Sequence, residues 1–447
     1  LIFSALTECA EKKFADKAME RNWLGNTTFA GNYTRYATLL DLIEDHRSIH
    51  MMTKAADYAA KELHEQPSLQ ALNNYLVSQY KIAGKLYSQA DYAQAIAVLQ
   101  IALRQIDPIV SKNKLDSEAN QGNSHSIMSI EGSSDILLSS AALRLGRQDL
   151  AWLYAVSGCE KLLMVYRQND NNENLEALAK ALINYSDVAR EYSKPIDTIE
   201  KLYREIVECY RELYHRTSRI NYMHMVLVYM SSLIELKSNG EFDESLAIET
   251  VSLSEKLFEQ INDLSDLKRA YYISFRLGIF YYQNKRWQEA YDRMIASVKQ
   301  TEIYLRSASK LDADTISQIA EFNRQLSVLL NEFGKMEPSI HFAGRAVELY
   351  GMVWQQAKDT DAQISLDYAL AIGCLAEDYA KVNDIETAKK LFLQQLSVFE
   401  TMMSLYPQVD CRERLTNCLK NLYAIHMKNG EEEQAWVFRR RAEALME

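Results

Sequence analysis

Turn-forming residues are scarce in this sequence: glycine occurs 14 times and proline 5 times in 447 residues. An all-β chain needs such residues at every hairpin, so their scarcity excludes a sandwich or barrel and favours long helices joined by short corners. Long apolar runs are also missing. None approaches the roughly 18 residues of a membrane-spanning helix, and the leading LIFSAL is too short for a signal core and lacks a basic lead. Positive charge is in deficit, with 50 Lys and Arg against 61 Asp and Glu, a net −11. That balance argues against a broad basic face for nucleic acid or anionic lipid, so the reading is no nucleic acid and no membrane. The six cysteines (Cys9, Cys159, Cys209, Cys374, Cys411, Cys418) form no CxxC. Cys411 and Cys418 share a helix face but not a metal-knuckle spacing. Reduced, buried thiols suit a cytoplasmic protein. GxxxxGK[ST], GxGxxG and GxSxG are absent too, which leaves phosphate cradles and nucleophile elbows without a candidate.

What is present is repetition. YYQNKRWQEAY (residues 281–291) matches LYSQADYAQAI (residues 86–96), with Tyr282 on Tyr87, Trp287 on Tyr92 and Ala290 on Ala95. Both read as a corner: an aromatic ends one helix, polar residues turn the chain, and aromatic-x-x-small opens the next. Sliding the pattern along the chain marks Ala95, Ala151, Ile199, Ser245, Ala290, Ser339, Ala388 and Ala435, with a poorer corner at Ser48. The marks fall about 47 residues apart, apart from one longer step before Ala151. Gly146, Gly240, Gly334 and Gly430, with Asn284 and Asn383 as next best, supply residues that tolerate positive φ at a helix end. Asp149, Asp243 and Asp384 stand where a carboxylate can cap the next helix or meet its dipole.

Between corners the apolar period is helical. Leu267, Tyr271, Phe275, Gly278 and Tyr282 fall three or four apart, as do Leu246, Thr250, Leu253, Leu257 and Ile261. Each helix should hold about 20 residues, roughly 30 Å. No segment alternates at period two, so no sheet is expected. Pro67 and Pro407 mark the passage from one pair to the next. The expected organisation is a leading helix at 1–24, helix pairs at 25–106, a polar flexible loop at 107–135, and further pairs at 136–447.

The corners carry a resemblance. Leu277, Gly278, Tyr281 and Ala290 match the tetratricopeptide pattern, as do Leu375, Ala376, Tyr379 and Ala388, and Ile82, Ala83, Leu86 and Ala95. The chain resembles tetratricopeptide-repeat (TPR) proteins over about residues 25–447, departing from their 34-residue period. Its long helices look like repeats of bacterial signalling and multidomain regulatory proteins. The resemblance implies an all-α fold, a right-handed solenoid of about nine stacked antiparallel pairs whose first helices line a concave face. It also implies a non-enzymatic scaffold or adaptor for another protein or peptide. The alternative is a sensor or regulatory arm of a larger signalling protein, with a covalently linked or associated effector domain such as an NTPase or protease; the Leu1 start leaves room for a longer parent. A helical-toroid enzyme would need a dense acidic or histidine cluster, and the sequence offers none.

Candidate chemistry is thin. His46 and His50, at i and i+4 beside Glu44 and Asp45, have zinc-ligand spacing, but Arg47 stands where the zinc-protease pattern needs glutamate, and surface histidines are the reading. The pairs Asp312/Asp314 and Asp359/Asp361 fall where helices begin and read as caps. Arg439, Arg440 and Arg441 read as a solvated terminal helix. No catalytic, metal or cofactor residue is assigned. The 27 tyrosines leave one binding reading: Tyr80, Tyr87, Asn184, Tyr272, Phe275, Tyr282, Arg324 and Asn331 on first helices, facing a groove where rigid rings bury area at low entropy cost. The Lys/Asn carboxylate clamp of chaperone-tail binders is absent from the corresponding positions. Trp287 reads as packing.

Overall fold

A computed structural model describes residues 48–112, 118–236 and 242–445; these are helical, with no strand among them. The chain forms two compact units that divide between Leu236 and Lys237. Unit 1 contains α1 (Ser48–Glu65), α2 (Leu69–Ser88), α3 (Tyr92–Leu103), α4 (Ile106–Val110), α5 (Glu118–Arg144), α6 (Gln148–Gln168), α7 (Asn172–Glu191), α8 (Ile196–Thr217) and α9 (Ile220–Leu236). Unit 2 contains α10 (Glu244–Ile261), α11 (Leu264–Gln283), α12 (Trp287–Ser307), α13 (Ala313–Glu332), α14 (Met336–Ala357), α15 (Ala362–Lys381), α16 (Ile385–Leu405), α17 (Arg412–Lys428) and α18 (Glu432–Ala444). Each unit is an all-α solenoid of antiparallel pairs. No helix among the described residues is long and apolar enough to cross a membrane.

One corner geometry recurs. Ala90, Gly146, Ser193, Lys285, Gly334, Asn383 and Gly430 all have positive φ, between 50° and 78°. The next residue's N–H then reaches back five residues to a helix carbonyl: Asp91 to Leu86, Arg286 to Tyr281 and Lys335 to Leu330, each at 2.9 Å. This is the Schellman closure, which satisfies carbonyls that the ended helix leaves open. Asn284 does not hold the positive φ expected of it. Lys285 does, and the Asn284 amide instead caps the Phe280 carbonyl at 2.8 Å. The expectation at Gly240 lies outside the described residues, as do the leading helix at 1–24, the first half of the Ser48 corner and His46. His50 is exposed on α1.

Four residues after each N-cap, the second helix places a small or apolar residue whose N–H bonds the N-cap carbonyl. Ala95, Ala151, Ile199, Ala247, Ala290, Ser339, Ala388 and Ala435 fill this place, and all are buried. The mark at Ser245 is therefore two residues early. Ser245 is exposed, because Asp243 caps α10 by accepting from the Leu246 N–H at 3.0 Å, which puts Ala247 at the crossing. Asp312 and Asp361 cap α13 and α15 in the same way. Pro67 and Pro407 lie between α1 and α2 and between α16 and α17, as expected.

The stretch expected as a flexible loop, 107–135, is instead mostly helix: α4 closes it on one side and α5 runs from Glu118 onward. Its small polar residues serve close packing. A Cβ on Gly132 would meet Leu162 Cγ at 2.9 Å, and one on Gly158 would meet the Gly132 carbonyl at 2.9 Å. The Ser134 hydroxyl bonds the Ile130 carbonyl at 2.7 Å, and the Ser139 hydroxyl crosses to the Ala151 carbonyl at 2.8 Å. Asp135 is buried and held by Ser157 at 2.7 Å and Lys161 at 2.6 Å. Serine and glycine composition suggests a turn, yet the same residues let two helices touch.

Candidate functional site

In unit 1, α5 packs against both α2 and α7 and forms the floor between them. Ser133, Ile136, Ser140 and Leu143 recur every three or four residues along α5, so they form one stripe. Tyr80 and Tyr87 stand seven apart on α2. Glu173, Glu176, Lys180, Asn184, Asp187 and Glu191 form the matching stripe on α7. Two cavities follow one another along these helices. The first, about 360 Å³, is bounded by Tyr80, Ile136, Leu162, Glu176 and Lys180 among others. The second, about 540 Å³ and more polar, is bounded by Tyr87, Ser140, Arg144, Asn184, Asp187 and Arg190 among others.

The walls are held by their own contacts. Asn184 Nδ2 donates to Ser140 Oγ at 2.8 Å, which ties wall to floor, and the Ser140 hydroxyl donates to the Ile136 carbonyl at 3.1 Å. Lys180 pairs with Glu176 at 2.6 Å, and the Tyr222 hydroxyl donates to Glu176 at 2.7 Å. The lysine first, then the tyrosine, hold the Glu176 carboxyl below its ordinary range. Burial pushes the Tyr80 phenol upward, partly offset by Lys180. Asp187 is open to the second cavity yet partly desolvated by its walls. That desolvation raises its carboxyl above the ordinary range, while Arg190 pulls the other way. Arg144 hydrogen-bonds the Tyr87 phenol.

In unit 2 a cavity of about 280 Å³ lies between α11, α12 and α13, bounded by Ile279, Tyr282, Met294, Arg324, Val328 and Leu329 among others. The Tyr282 hydroxyl donates to Glu332 at 2.7 Å. Arg324 lies against Glu321 with contacts of 2.8 and 2.5 Å, and the Tyr350 hydroxyl joins the same carboxylate at 3.1 Å.

Of the sequence-derived groove residues, Tyr80, Tyr87 and Asn184 therefore border the unit 1 cavities, and Tyr282 and Arg324 border the unit 2 cavity. Phe275 does not face a groove. It is fully buried and stacked on Phe322, with ring centroids 3.9 Å apart and planes 11° apart. It shares the helical face of Ile279 and Tyr282, but Phe322 of α13 covers it. Asn331 donates to Asp378 and accepts from Lys381, which makes it a brace between α13 and α15. Tyr272 is half-buried beside Phe322, with centroids 6.3 Å apart. The reading missed Arg144, Asp187 and Arg190. A signal was present for Asp187, since 184, 187 and 191 continue one face of a first helix. At the C-terminus, Arg439 pairs with Glu443 at 2.9 Å and Arg441 with Glu400 at 2.6 Å, as a solvated helix would. Cys159, Cys411 and Cys418 are buried free thiols, and desolvation pushes Cys159 up to about 12.

No family model matches the chain, and no curated protein does. Solved structures similar to it include the C-terminal part of a TPR repeat-containing protein from Cytophaga hutchinsonii (14% identity, 77% of this chain and 99% of that one, TM-score 0.41). Another is a Signal Transduction ATPase with Numerous Domains protein with a tetratricopeptide repeat sensor from Pyrococcus horikoshii (11%, 90% and 52%, TM-score 0.39). A third is aspartyl phosphate phosphatase F from Bacillus subtilis (12%, 95% and 96%, TM-score 0.35). The chain resembles tetratricopeptide-repeat proteins in fold.

Proposed function

We propose that the chain is a non-enzymatic interaction scaffold that takes an extended polypeptide segment over α5, between α2 and α7. The observation behind this is the succession of two cavities along the same three helices. The bordering stretch of α7, from Glu173 to Glu191, covers roughly 27 Å at 1.5 Å per residue. An extended segment of about eight residues has that length at 3.3 Å per residue. Tyr80 and Tyr87 present rings to one side of the path, and the α7 stripe presents hydrogen-bonding groups to the other. Apolar contact on one side and directional polar contact on the other suit a backbone with alternating side chains. The second cavity's serine has its hydroxyl engaged with a carbonyl and an amide, an arrangement that supports binding and does not activate a nucleophile.

Hydrogen exchange of the wild-type protein with a captured partner tests this reading, beside a Tyr87→Ala/Asn184→Ala variant whose helicity is checked by circular dichroism. Partner-dependent protection on α2, α5 and α7, lost in the folded variant, is the expected result. Protection confined to other helices would sink the assignment. Phe275 is unsuitable as a probe, because its removal would damage the core.

A further inference from the structure

The second cavity of unit 1 holds charge that the fold leaves unengaged. Asp187 and Arg190 lie three residues apart on α7 and both border it. Among the described residues neither side chain makes a hydrogen bond or ion pair, and the two act on each other only through space. Arg144 joins them from the end of α5, with the Tyr87 phenol as its hydrogen-bond partner. Other charges of unit 1 are matched, Lys180 with Glu176, Lys161 with Asp135, and Arg216 with Asp170 at 2.7 Å, while Glu191 adds a second carboxylate at the cavity edge. All three side chains are exposed at the cavity, and a guanidinium has five donors and a carboxylate about four acceptor sites, so these groups are open to a ligand's charges.

The charges are also ordered. Arg144 and Arg190 lie at the corner end of the path, near Gly146 and Glu191. Asp187 lies one turn further in, about 4.5 Å along the helix axis. The opposed signs do not suit a purely anionic or purely cationic ligand.

We propose that this cavity reads a pair of opposite charges on the bound segment, an acidic side chain at Arg190 and Arg144 and a basic one at Asp187. This rests on the segment-binding reading above and specifies its partner's chemistry. The acidic residue lies nearer the corner, so the segment has one direction along α5. Side chains two apart on an extended chain share a face, which places the pair at positions i and i+2.

The test is an immobilised set of eight-residue peptides with one Glu and one Lys two positions apart, in both orders, beside matched Gln/Gln controls. The wild type is expected to retain one order at least tenfold better than the other order and the controls. Exchanging the two protein charges, Asp187→Arg with Arg190→Asp, should reverse the preferred order. The neutral pair Asp187→Asn with Arg190→Gln should bind both orders equally, and it serves if the exchanged variant does not fold. Equal retention of charged and uncharged peptides by the wild type, or an order preference untouched by the neutral pair, overturns the charge assignment alone. Retention of no peptide, controls included, overturns the segment-binding reading itself.

Discussion

Tyr282 and Trp287 meet edge to face across their corner, with ring centroids 5.4 Å apart. Tyr87 and Tyr92, the pair that aligns with them, repeat the contact at 5.2 Å. The corner is thus reproduced in space as well as in sequence. Trp287 also touches Phe333 of the following corner at 5.9 Å, so one ring ties two successive pairs while staying 41% exposed.

Trp287→Ala should therefore destabilise unit 2 despite that exposure. Each aromatic pair contributes about 0.5–1.5 kcal/mol beyond area burial. Two half-exposed contacts predict a loss of about 1–2 kcal/mol, read from the urea midpoint. A change below about 0.3 kcal/mol would mean that the ring is not tying corners together.

Lys285 and Ala90 hold positive φ without being glycine, and both are exposed. A Cβ in that region costs about 1–2 kcal/mol, partly offset because glycine gains more freedom when unfolded. Lys285→Gly and Ala90→Gly should each raise stability by about 0.5–1 kcal/mol, seen as a higher melting temperature. Gly334→Ala, at φ 68°, should lower it.

Three helical glycines separate packing from propensity. Nothing lies within 4 Å of a Cβ on Gly344, so Gly344→Ala should gain about 1 kcal/mol of helix propensity. On Gly278 the Cβ would meet the Met294 side chain at 2.5 Å; on Gly158 it would meet the Gly132 backbone at 2.9 Å and Ile136 at 2.7 Å. The Met294 Cγ lies next to its own backbone in a buried side chain, and the Ala290 carbonyl is 3.3 Å from the same Cβ, so neither crossing can open by moving a side-chain tip. The expected order in chemical denaturation is Gly344→Ala most stable, with Gly278→Ala and Gly158→Ala each destabilised by about 1–3 kcal/mol. A different order would show that the two helix crossings are looser than drawn.

The corners were legible because their chemistry is local. Positive-φ residues, caps and small crossing residues act within six positions, so Ala95, Ala290 and Ala388 could be placed without a structure. The register near Ser245 was lost because one capping choice, Asp243, shifts every residue after it. The 107–135 stretch was misread because serine and glycine serve both turns and close helix packing, and only the partner α6 decides between them. Groove residues depend on what the next helix lays over them as well as on helical phase. Tyr80, Tyr87 and Tyr282 border cavities, but Phe275, seven before Tyr282 as Tyr80 is before Tyr87, is covered by Phe322 from α13. That covering residue lies 47 positions away in the sequence.

Asp187 carries the last prediction, because a binding site that leaves a carboxylate unpartnered should weaken the fold. Its folded pKa is raised, chiefly by desolvation. A raised acid favours the folded state most when protonated, and that stabilisation is lost as pH rises through the folded pKa. At neutral pH the ionised group is therefore a burden, and Asp187→Asn removes it. The variant should have a higher urea midpoint than the wild type at pH 7. The difference should shrink as pH falls and vanish below about 3.9, the ordinary aspartate value, where both folded and unfolded chains carry the proton. An equal advantage at both pH values would place its origin in something other than the charge. A destabilised variant at pH 7 would mean that Asp187 is already partnered within the fold, which would also remove the basis for its reading a cation on a bound segment.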